Sequence, residues 1–304
     1  MKVFKNLNIG KKFQNSALAV GNFDGIHLGH KKVLKAARLK SKKNKIYFGA
    51  LTFEPLPVMF FNKSIKNHRI NKLSQKIEQL KKQKLDFLVI KKFDRKFSKI
   101  NYLNFIKRIL YQKLKCKFLF VSKNFKFGNK RQGNIERLKY YQNKYNFRTV
   151  LTKALKKNKK VISSTVVRRL INRGKVSEVK KLLGRPWEIR GTVKKGNQRG
   201  RKIGFPTCNI NLNEYIIPRL GVYSIIAETD SFRKKGIANI GYRPTFNGQN
   251  LLLEVNIFGI NKNLYNKELE VNFIKFIRPE KKFKNLKQLK KQIEIDIKKA
   301  KKNA

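Results

Sequence analysis

The stretch "ALAVGNFDGIHLGHKKVLKAARLKSKK" (residues 17–43) decides how the first half of this chain folds. Its apolar opening, 17–23, predicts a buried strand, and its tail predicts an amphipathic helix with Val33, Leu34, Ala37 and Arg38 on neighbouring turns. Between them lies a glycine-rich turn that holds His27 and His30, two of the three histidines in the chain. A helix N-terminus offers free backbone N–H groups and a partial positive charge, and so attracts phosphate. Gly21, Gly25 and Gly29 let a ligand come close to the backbone. Two imidazoles there can donate hydrogen bonds to phosphate oxygens as charge builds in a transition state. The turn therefore predicts a nucleotide-phosphate site, against the plainer alternative of two ordinary turn histidines. Zinc is a poor fit, because only Asp24 stands close by in sequence as a further ligand.

The same alternation continues outward. Strands are predicted at 45–53, 85–90, 117–121 and 147–152, separated by helices at 73–83, 101–114 and near 134–144. Strands alternating with helices imply a parallel sheet covered on both faces, with ligands beyond the carboxyl ends of its strands. After "KKNKK" (156–160), "SSTVVRRLINRG" (163–174) predicts a short helix capped by Ser163 or Ser164 and stopped at Gly174. A second small helix follows in 177–184. Beyond Gly184 the pattern changes to short strands broken by Gly, Pro and Asn: "WEIRGTV", "CNINL", "GVYSIIAE", "KGIANIG", "LLLEVNIF" and "LEVNFIKFI". That is an all-β unit, a small barrel, closed by the charged amphipathic helix "LKQLKKQIEIDIKKAKK" (286–302) with a solvated lysine face.

The 304 residues suit two domains, and 40% are hydrophobic, enough for ordinary cores. No apolar run approaches the roughly 20 residues of a membrane span, and residues 1–13 lack the apolar segment of a signal peptide. Two cysteines, Cys116 and Cys208, have neither disulfide-framework nor metal spacing, which suits a reducing cytoplasm. The net charge of +58 raises nucleic acid or an anionic surface as partner. Its lysines are spread over nearly every segment, however, and Lys, Asn, Ile, Phe and Tyr are abundant together. AT-rich codon usage produces that joint bias, so neither a specific nucleic-acid nor a membrane partner is expected.

"GTVKKGNQRGRKIGFPTCNINL" (191–212) is the most specific stretch of the second half. Its glycines and basic residues suit a loop over phosphates. Gly196, Arg199, Gly200, Arg201, Gly204 and Pro206 are the candidates for that loop, and Thr207 and Asn209 are hard oxygen donors suited to Mg²⁺. No Walker loop and no dinucleotide fingerprint is present.

His-x-Gly-His on a strand–turn–helix resembles the nucleotidylyltransferase superfamily, whose second signature, Ser-Ser-Thr-x-x-Arg, stands here as Ser163, Ser164, Thr165 and Arg168. Over nearly its full length the chain resembles the prokaryotic bifunctional riboflavin kinase/FMN adenylyltransferases. The motifs run in order: "GNFDGIHLGH", "TFEPLP", "NFKFG", "ISSTVVR", "GRPWEIRGTV", "RGRKIGFPTCNI", "GVY", "NIGYRPTF", "LEVNIF", "NLYNKELEV" and "FIRPEKKF". The resemblance implies an α/β plus all-β chain: a Rossmann-like nucleotidylyltransferase domain over 1–184 and a six-stranded riboflavin-kinase barrel with a terminal helix over 185–304. It implies phosphorylation of riboflavin by ATP to FMN, then adenylyl transfer from a second ATP to give FAD and pyrophosphate, with Mg²⁺ required. For adenylyl transfer it assigns catalysis to His27 and His30, and ATP binding to Gly21, Phe23, Asp24, Gly25, Asn124, Ser163, Ser164, Thr165 and Arg168. Asn22, Phe53 and Pro55 would face the flavin there. In the kinase it makes Glu254 the general base, Thr207 and Asn209 the ligands of metal and phosphate, and Arg278 a flavin-side or lid arginine.

Some positions depart from the family pattern. Val161 stands where an arginine is usual, with Lys160 next to it as a substitute cation. Ser122 replaces a glycine, Leu56 a histidine and Cys208 an alanine, and Asn256 and Gly259 replace a histidine and an acidic residue. The narrower reading is a kinase with weakened adenylyl transfer, and the non-enzyme reading is a basic nucleic-acid-binding protein. Oligomeric state stays open at this level. The charge alone predicts weak, sequence-independent binding to single-stranded DNA at low salt. Anisotropy titrations should show it falling by roughly a thousandfold or more between 50 and 200 mM salt.

Overall fold

The computed structural model describes every residue except 66, 158–159, 196–199, 201–202, 246–247, 261 and 304, and only the backbone at 243–245 and 248–250. The chain packs as two units, Met1–Lys66 with Leu73–Ser163, and Asn67–Lys72 with Ser164–Ala304.

In the first unit, strands β1 (Lys2–Phe4), β2 (Ala17–Val20), β3 (Phe48–Glu54), β4 (Phe87–Lys92), β5 (Phe118–Ser122) and β6 (Arg148–Thr152) form one sheet in the order β1-β4-β3-β2-β5-β6. Every pairing in it is parallel. The five expected strands are present. The three-residue β1, an edge strand beside β4, is too short to leave a periodic signal.

Alternation along the strands builds two cores. Leu18, Val20, Leu51, Val89 and Leu119 pack on one face with Ile106, Ile109 and Leu110 of a π-helical segment, Phe105–Lys113. Ala17, Ala19, Ala50, Leu88 and Phe120 pack on the other with Leu34 and Ala37 of α1 (Leu28–Lys43) and Leu80 of α2 (Leu73–Lys81). A sheet buried on both faces reads as continuous apolar runs, as these strands do. The chain runs outward from β2 to β3 and β4, then returns to β5 on the opposite side of β2. The reversal between β2 and β5 is a topological switch point, and the crevice beyond its carboxyl ends is where such sheets bind ligands. Helix α3 (Ile135–Tyr141) and a small antiparallel hairpin, β7 (Lys156–Lys157) with β8 (Lys160–Val161), complete the unit.

The second unit begins with helices α4 (Ser164–Asn172) and α5 (Val176–Leu183). Gly174, at φ +71°, ends the first of them as the sequence predicts. Strands β9 (Trp187–Thr192), β10 (Cys208–Asn211), β11 (Gly221–Thr229), β12 (Phe232–Thr245), β13 (Gly248–Ile257) and β14 (Glu268–Arg278) follow. They form an antiparallel sheet in the order β10-β13-β12-β11-β14-β9. The sheet curls until its ends nearly meet. The Lys194 N–H donates to the Asn209 carbonyl at 2.8 Å, and Gly191 leaves room for the Ile210 side chain. Trp187, Tyr223 and Phe273 pack together inside this barrel, Tyr223 edge-on to Phe273, and the Trp187 Nε1–H donates to the Ile70 carbonyl at 2.9 Å. Helix α6 (Leu286–Asn303) keeps its lysines in solvent but lays Ile293, Ile297 and Ala300 on Val222 and Ile237 of the barrel wall.

Gly49 is the tightest point of the parallel sheet. A Cβ built there overlaps the ring of Phe87, which is fully buried. Gly49→Ala should cost about 1–3 kcal/mol through overpacking. Urea unfolding should show a lower midpoint at an unchanged slope.

Candidate active site

The opening turn sits at the switch point. Strand β2 ends at Val20, and Gly21–His27 leads directly into α1. Gly25 adopts φ +79°, and Phe23 and Ile26 are held at φ +47° and +41°, left-handed values that are costly for side-chain-bearing residues. The path is fixed from below by Thr52 Oγ1, which donates to the Asn22 carbonyl at 3.1 Å. Asp24 and His27 are buried, and His30 is half-buried.

His27 is the N-cap of α1, its Nδ1 accepting from the His30 N–H at 3.3 Å. That bond puts the proton of a neutral His27 ring on Nε2. The two imidazoles stack with centroids 3.7 Å apart, and the Phe23 ring meets His30 edge-on at 5.4 Å. So Phe23 backs a histidine. Gly29 leaves room for the stacked ring: a Cβ there would lie 3.0 Å from Cε1 and Nδ1 of His27 and 3.3 Å from the Ile162 carbonyl, so the ring would have to shift. A Cβ at Gly21 would meet only Phe23 ring atoms at ordinary distance.

Asn124 is exposed, two residues past the end of β5 on the far side of the switch point. Phe53 is packed with Phe93 and Phe97, at 6.2 and 5.7 Å, and the half-buried Pro55 follows β3. Ser163 is the last residue of the first unit, and because α4 starts at Ser164 it occupies the capping position. Ser164, Thr165 and Arg168 lie in the first turns of α4, and Arg168 Nε donates to the His68 carbonyl at 2.9 Å. The hairpin register bears on Val161. Lys160 stands opposite Lys157, whereas Val161 stands opposite Lys156. Directly opposed residues share a face, so Lys156 is the cation beside Val161.

In the second unit, strand register assembles a single row. Asn209 pairs with Glu254, Glu254 with Asn239, Asn239 with Val222, and Val222 with Arg278. The row crosses five strands on the outer face, because Leu253 and Val255, the neighbours of Glu254, are fully buried in the barrel. A cleft of about 480 Å³ lies over its Glu254, Asn239, Val222 and Arg278. Thr207, Asn239, Glu254 and Asn256 are among the polar residues that line the cleft, and Phe205, Phe283, Leu289 and Ile293 are among its apolar ones. A smaller cavity of about 70 Å³ is lined by Val193, Cys208, Val255, Ile257, Leu264 and Tyr265, with Thr207 lining both.

Asn256 Nδ2 donates to the Pro206 carbonyl at 2.8 Å, anchoring the loop that carries Thr207. The Oδ1 of Asn209 is buried and has no hydrogen-bond donor among the described residues. Cys208, between the two oxygen donors, has its thiol pushed up by burial. The donors available to a cation are therefore hard oxygens, which fit Mg²⁺. Gly200 and Gly204 are described, Gly204 at φ +87°, whereas Gly196, Arg199 and Arg201 lie outside the described residues.

Asn239 and Asp296 are lining residues that sequence reasoning missed. Both interrupt an apolar pattern: Asn239 within "GIANIG", and Asp296 on the stripe Ile293, Ile297 and Ala300 of α6.

Residues 10–166 match the FAD synthetase family, and residues 183–304 match the riboflavin kinase family. The chain belongs to the bifunctional riboflavin kinase/FMN adenylyltransferases. It is 41% identical to the bifunctional riboflavin kinase/FMN adenylyltransferase of Buchnera aphidicola subsp. Schizaphis graminum, over 98% of this chain and 97% of that one. With its Escherichia coli K12 namesake it shares 34% identity over 93% and 91% of the two chains. A solved structure titled as a macrolide-efflux protein from Streptococcus pneumoniae superposes with a TM-score of 0.86 at 28% identity, covering 98% of each chain. Among the described residues no helix is long and apolar enough to cross a membrane.

Gly29→Ala tests the stacked pair directly. Displacing the His27 ring should lower FAD formation from FMN by roughly tenfold to a hundredfold. FMN formation from riboflavin, measured in the same preparation, should stay unchanged.

Proposed function

We propose that the barrel unit phosphorylates riboflavin and that the parallel-sheet unit adenylylates the FMN it makes, with functional boundaries at 1–184 and 185–304. The observation that carries the kinase reading is the row Glu254–Asn239–Val222–Arg278 beneath one cleft, with Asn209 paired to Glu254 at its end. Strands lie about 4.8 Å apart, so Glu254 is one strand from the cation donor and roughly 14 Å, three strands, from Arg278. An extended tricyclic flavin with its ribityl chain fills that span, its 5′-hydroxyl at Glu254 and its ring against the apolar side. The position of Thr207 between the two cavities favours a nucleotide base in the smaller one and the γ-phosphate at Thr207.

The step follows from that placement. Glu254 accepts the proton of the 5′-hydroxyl, the oxygen bonds to the γ-phosphorus, and the β–γ bridging bond breaks to release ADP. Thr207 and Asn209 would hold Mg²⁺, which supplies charge neutralisation on the polyphosphate when bound. Gly200, Gly204 and Pro206, with Gly196, Arg199 and Arg201, are proposed for the loop over the phosphates.

In the first unit, an FMN phosphate oxygen attacks the α-phosphorus of ATP and pyrophosphate leaves. His27 and His30 donate to the phosphate as charge builds. Gly25 and Asp24 shape the turn, and Asn124 binds from the opposite side of the switch point. Ser163, Ser164, Thr165 and Arg168 contribute hydroxyls, helix N–H groups and a guanidinium to the leaving phosphates. Asn22 and Pro55 are proposed on the flavin side. Lys156 supplies the cation lost at Val161, which favours an active adenylyltransferase over the kinase-only reading. The free cysteines and the biosynthetic role suit the cytoplasm.

The test is a time course of riboflavin, ATP and Mg²⁺ with separated flavins. FMN should appear first and then give way to FAD. His27→Ala should cut FAD formation by roughly a hundredfold or more while FMN accumulates. Glu254→Gln should slow FMN formation by about a hundredfold or more, yet leave added FMN convertible to FAD. Equal loss of both activities in either variant would break the two-site assignment.

A further inference from the structure

The terminal helix brings a buried acid to the cleft. Asp296 is 1% exposed and lies on the apolar stripe of α6 that packs against the barrel. Its carboxylate accepts from Arg278 Nε at 3.1 Å and 2.9 Å, one bond to each oxygen, and from Arg278 Nη2 at 2.8 Å. Gln292 Nε2, one turn earlier on α6, donates to Oδ1 at 3.0 Å. The remaining terminal nitrogen, Nη1, donates to the Pro279 carbonyl at 2.9 Å. Four bonds from the guanidinium leave its plane almost no freedom.

Arg278 reaches this position through a local irregularity. Tyr223 pairs with Phe276, and the next residue, Val222, pairs with Arg278. The strand therefore carries an extra residue, Ile277, between them. A bulge of this kind bends a strand and re-aims a side chain. Without it, Val222 would face Ile277 and Arg278 would turn toward the opposite face. Gly221, which follows the Arg278 carbonyl closely, has no room for a Cβ.

We infer that Asp296 is a positioning residue for riboflavin phosphorylation: it locks Arg278 in one orientation so that a fixed planar cation meets the flavin ring. This rests on the reading of the cleft as the riboflavin site. A flat ring is recognised best by a planar partner whose orientation is set beforehand, because no rotamer freedom is lost on binding. The contact lies three strands from Glu254, remote from the reacting hydroxyl. It therefore strengthens ground state and transition state alike, and its loss appears in KM and not in kcat. A carboxylate that served only to hold the helix would lower the unfolding temperature and leave the riboflavin KM alone.

The experiment uses the full chain and compares wild type, Asp296→Asn, Asp296→Glu, Arg278→Ala and the double variant Asp296→Asn/Arg278→Ala. Asp296→Asn should raise the riboflavin KM about tenfold or more with kcat nearly unchanged. KM for ATP and the rate of FAD formation from added FMN should not move. Asp296→Glu, which keeps the charge, should recover most of the lost affinity. The double variant should be no worse than Arg278→Ala, since the acid acts through the arginine. An unchanged riboflavin KM in Asp296→Asn, or additive losses in the double variant, would overturn the inference. Should Asp296→Asn not fold, Gln292→Leu removes only one bond to the carboxylate and should shift the riboflavin KM a little in the same direction; no shift there overturns it equally. A wild-type chain that makes no FMN at all would overturn the reading of the cleft instead.

Discussion

Successive side chains of a strand point to opposite faces, and in the barrel that rule separates what is buried from what can react. Leu253 and Val255 fill the interior, and Glu254 and Asn256 between and beside them face the cleft. Because antiparallel register places directly opposed residues on one face, the same rule extends sideways to Asn209, Asn239 and Val222. A one-residue slip anywhere in this set would bury the acid and expose the core. The barrel interior, packed around Trp187, Tyr223 and Phe273, is therefore what holds the proposed reacting groups in line. The polar groups stand on elements whose register the core cannot relax, which is the arrangement that transfers of phosphoryl groups reward, since positioning supplies most of their catalysis.

The first unit meets a similar need by different means. Its central strands are buried on both faces over most of their length, and the proposed reactive groups gather in the turns beyond the carboxyl ends. In the proposed reading the helix itself does part of the binding. His27 caps α1 through its own Nδ1, which ties the orientation of the imidazole to the start of the helix. Left-handed backbone at Phe23 and Ile26, in a turn braced by Thr52, shows a local conformation that the surrounding core must hold in place.

Charge is a weaker guide than it first looks. Seventy-five basic residues against seventeen acidic ones leave few carboxylates. Three of those that the structure buries or half-buries in the second unit stand at specific partners or sites: Asp296 at Arg278, Glu270 at Arg190, and Glu254 at the cleft. In a chain so poor in acids, a carboxylate on an apolar stripe is a stronger pointer to a site than any run of lysines.

Much of this was legible in the sequence, and for identifiable reasons. Apolar runs alternating with 3.6-period stretches gave the parallel sheet, and Gly, Pro and Asn spacing gave the six short strands, because both patterns are local consequences of burial. His27, His30, Thr207 and Asn209 stood in motifs whose residue types already matched phosphate chemistry, whereas the role of Glu254 was implied only by the family resemblance. What the sequence left open was long-range. The three residues of β1 acquire strand structure only by lying beside β4. Arg278 faces the cleft because a bulge adds one residue between two pairings, and Asp296 meets it there because α6 folds back onto the barrel. Local pattern is fixed by the residues that make it, whereas register, bulges and the return of a distant helix are settled only by contacts between segments far apart in the chain, and those contacts form when the core closes.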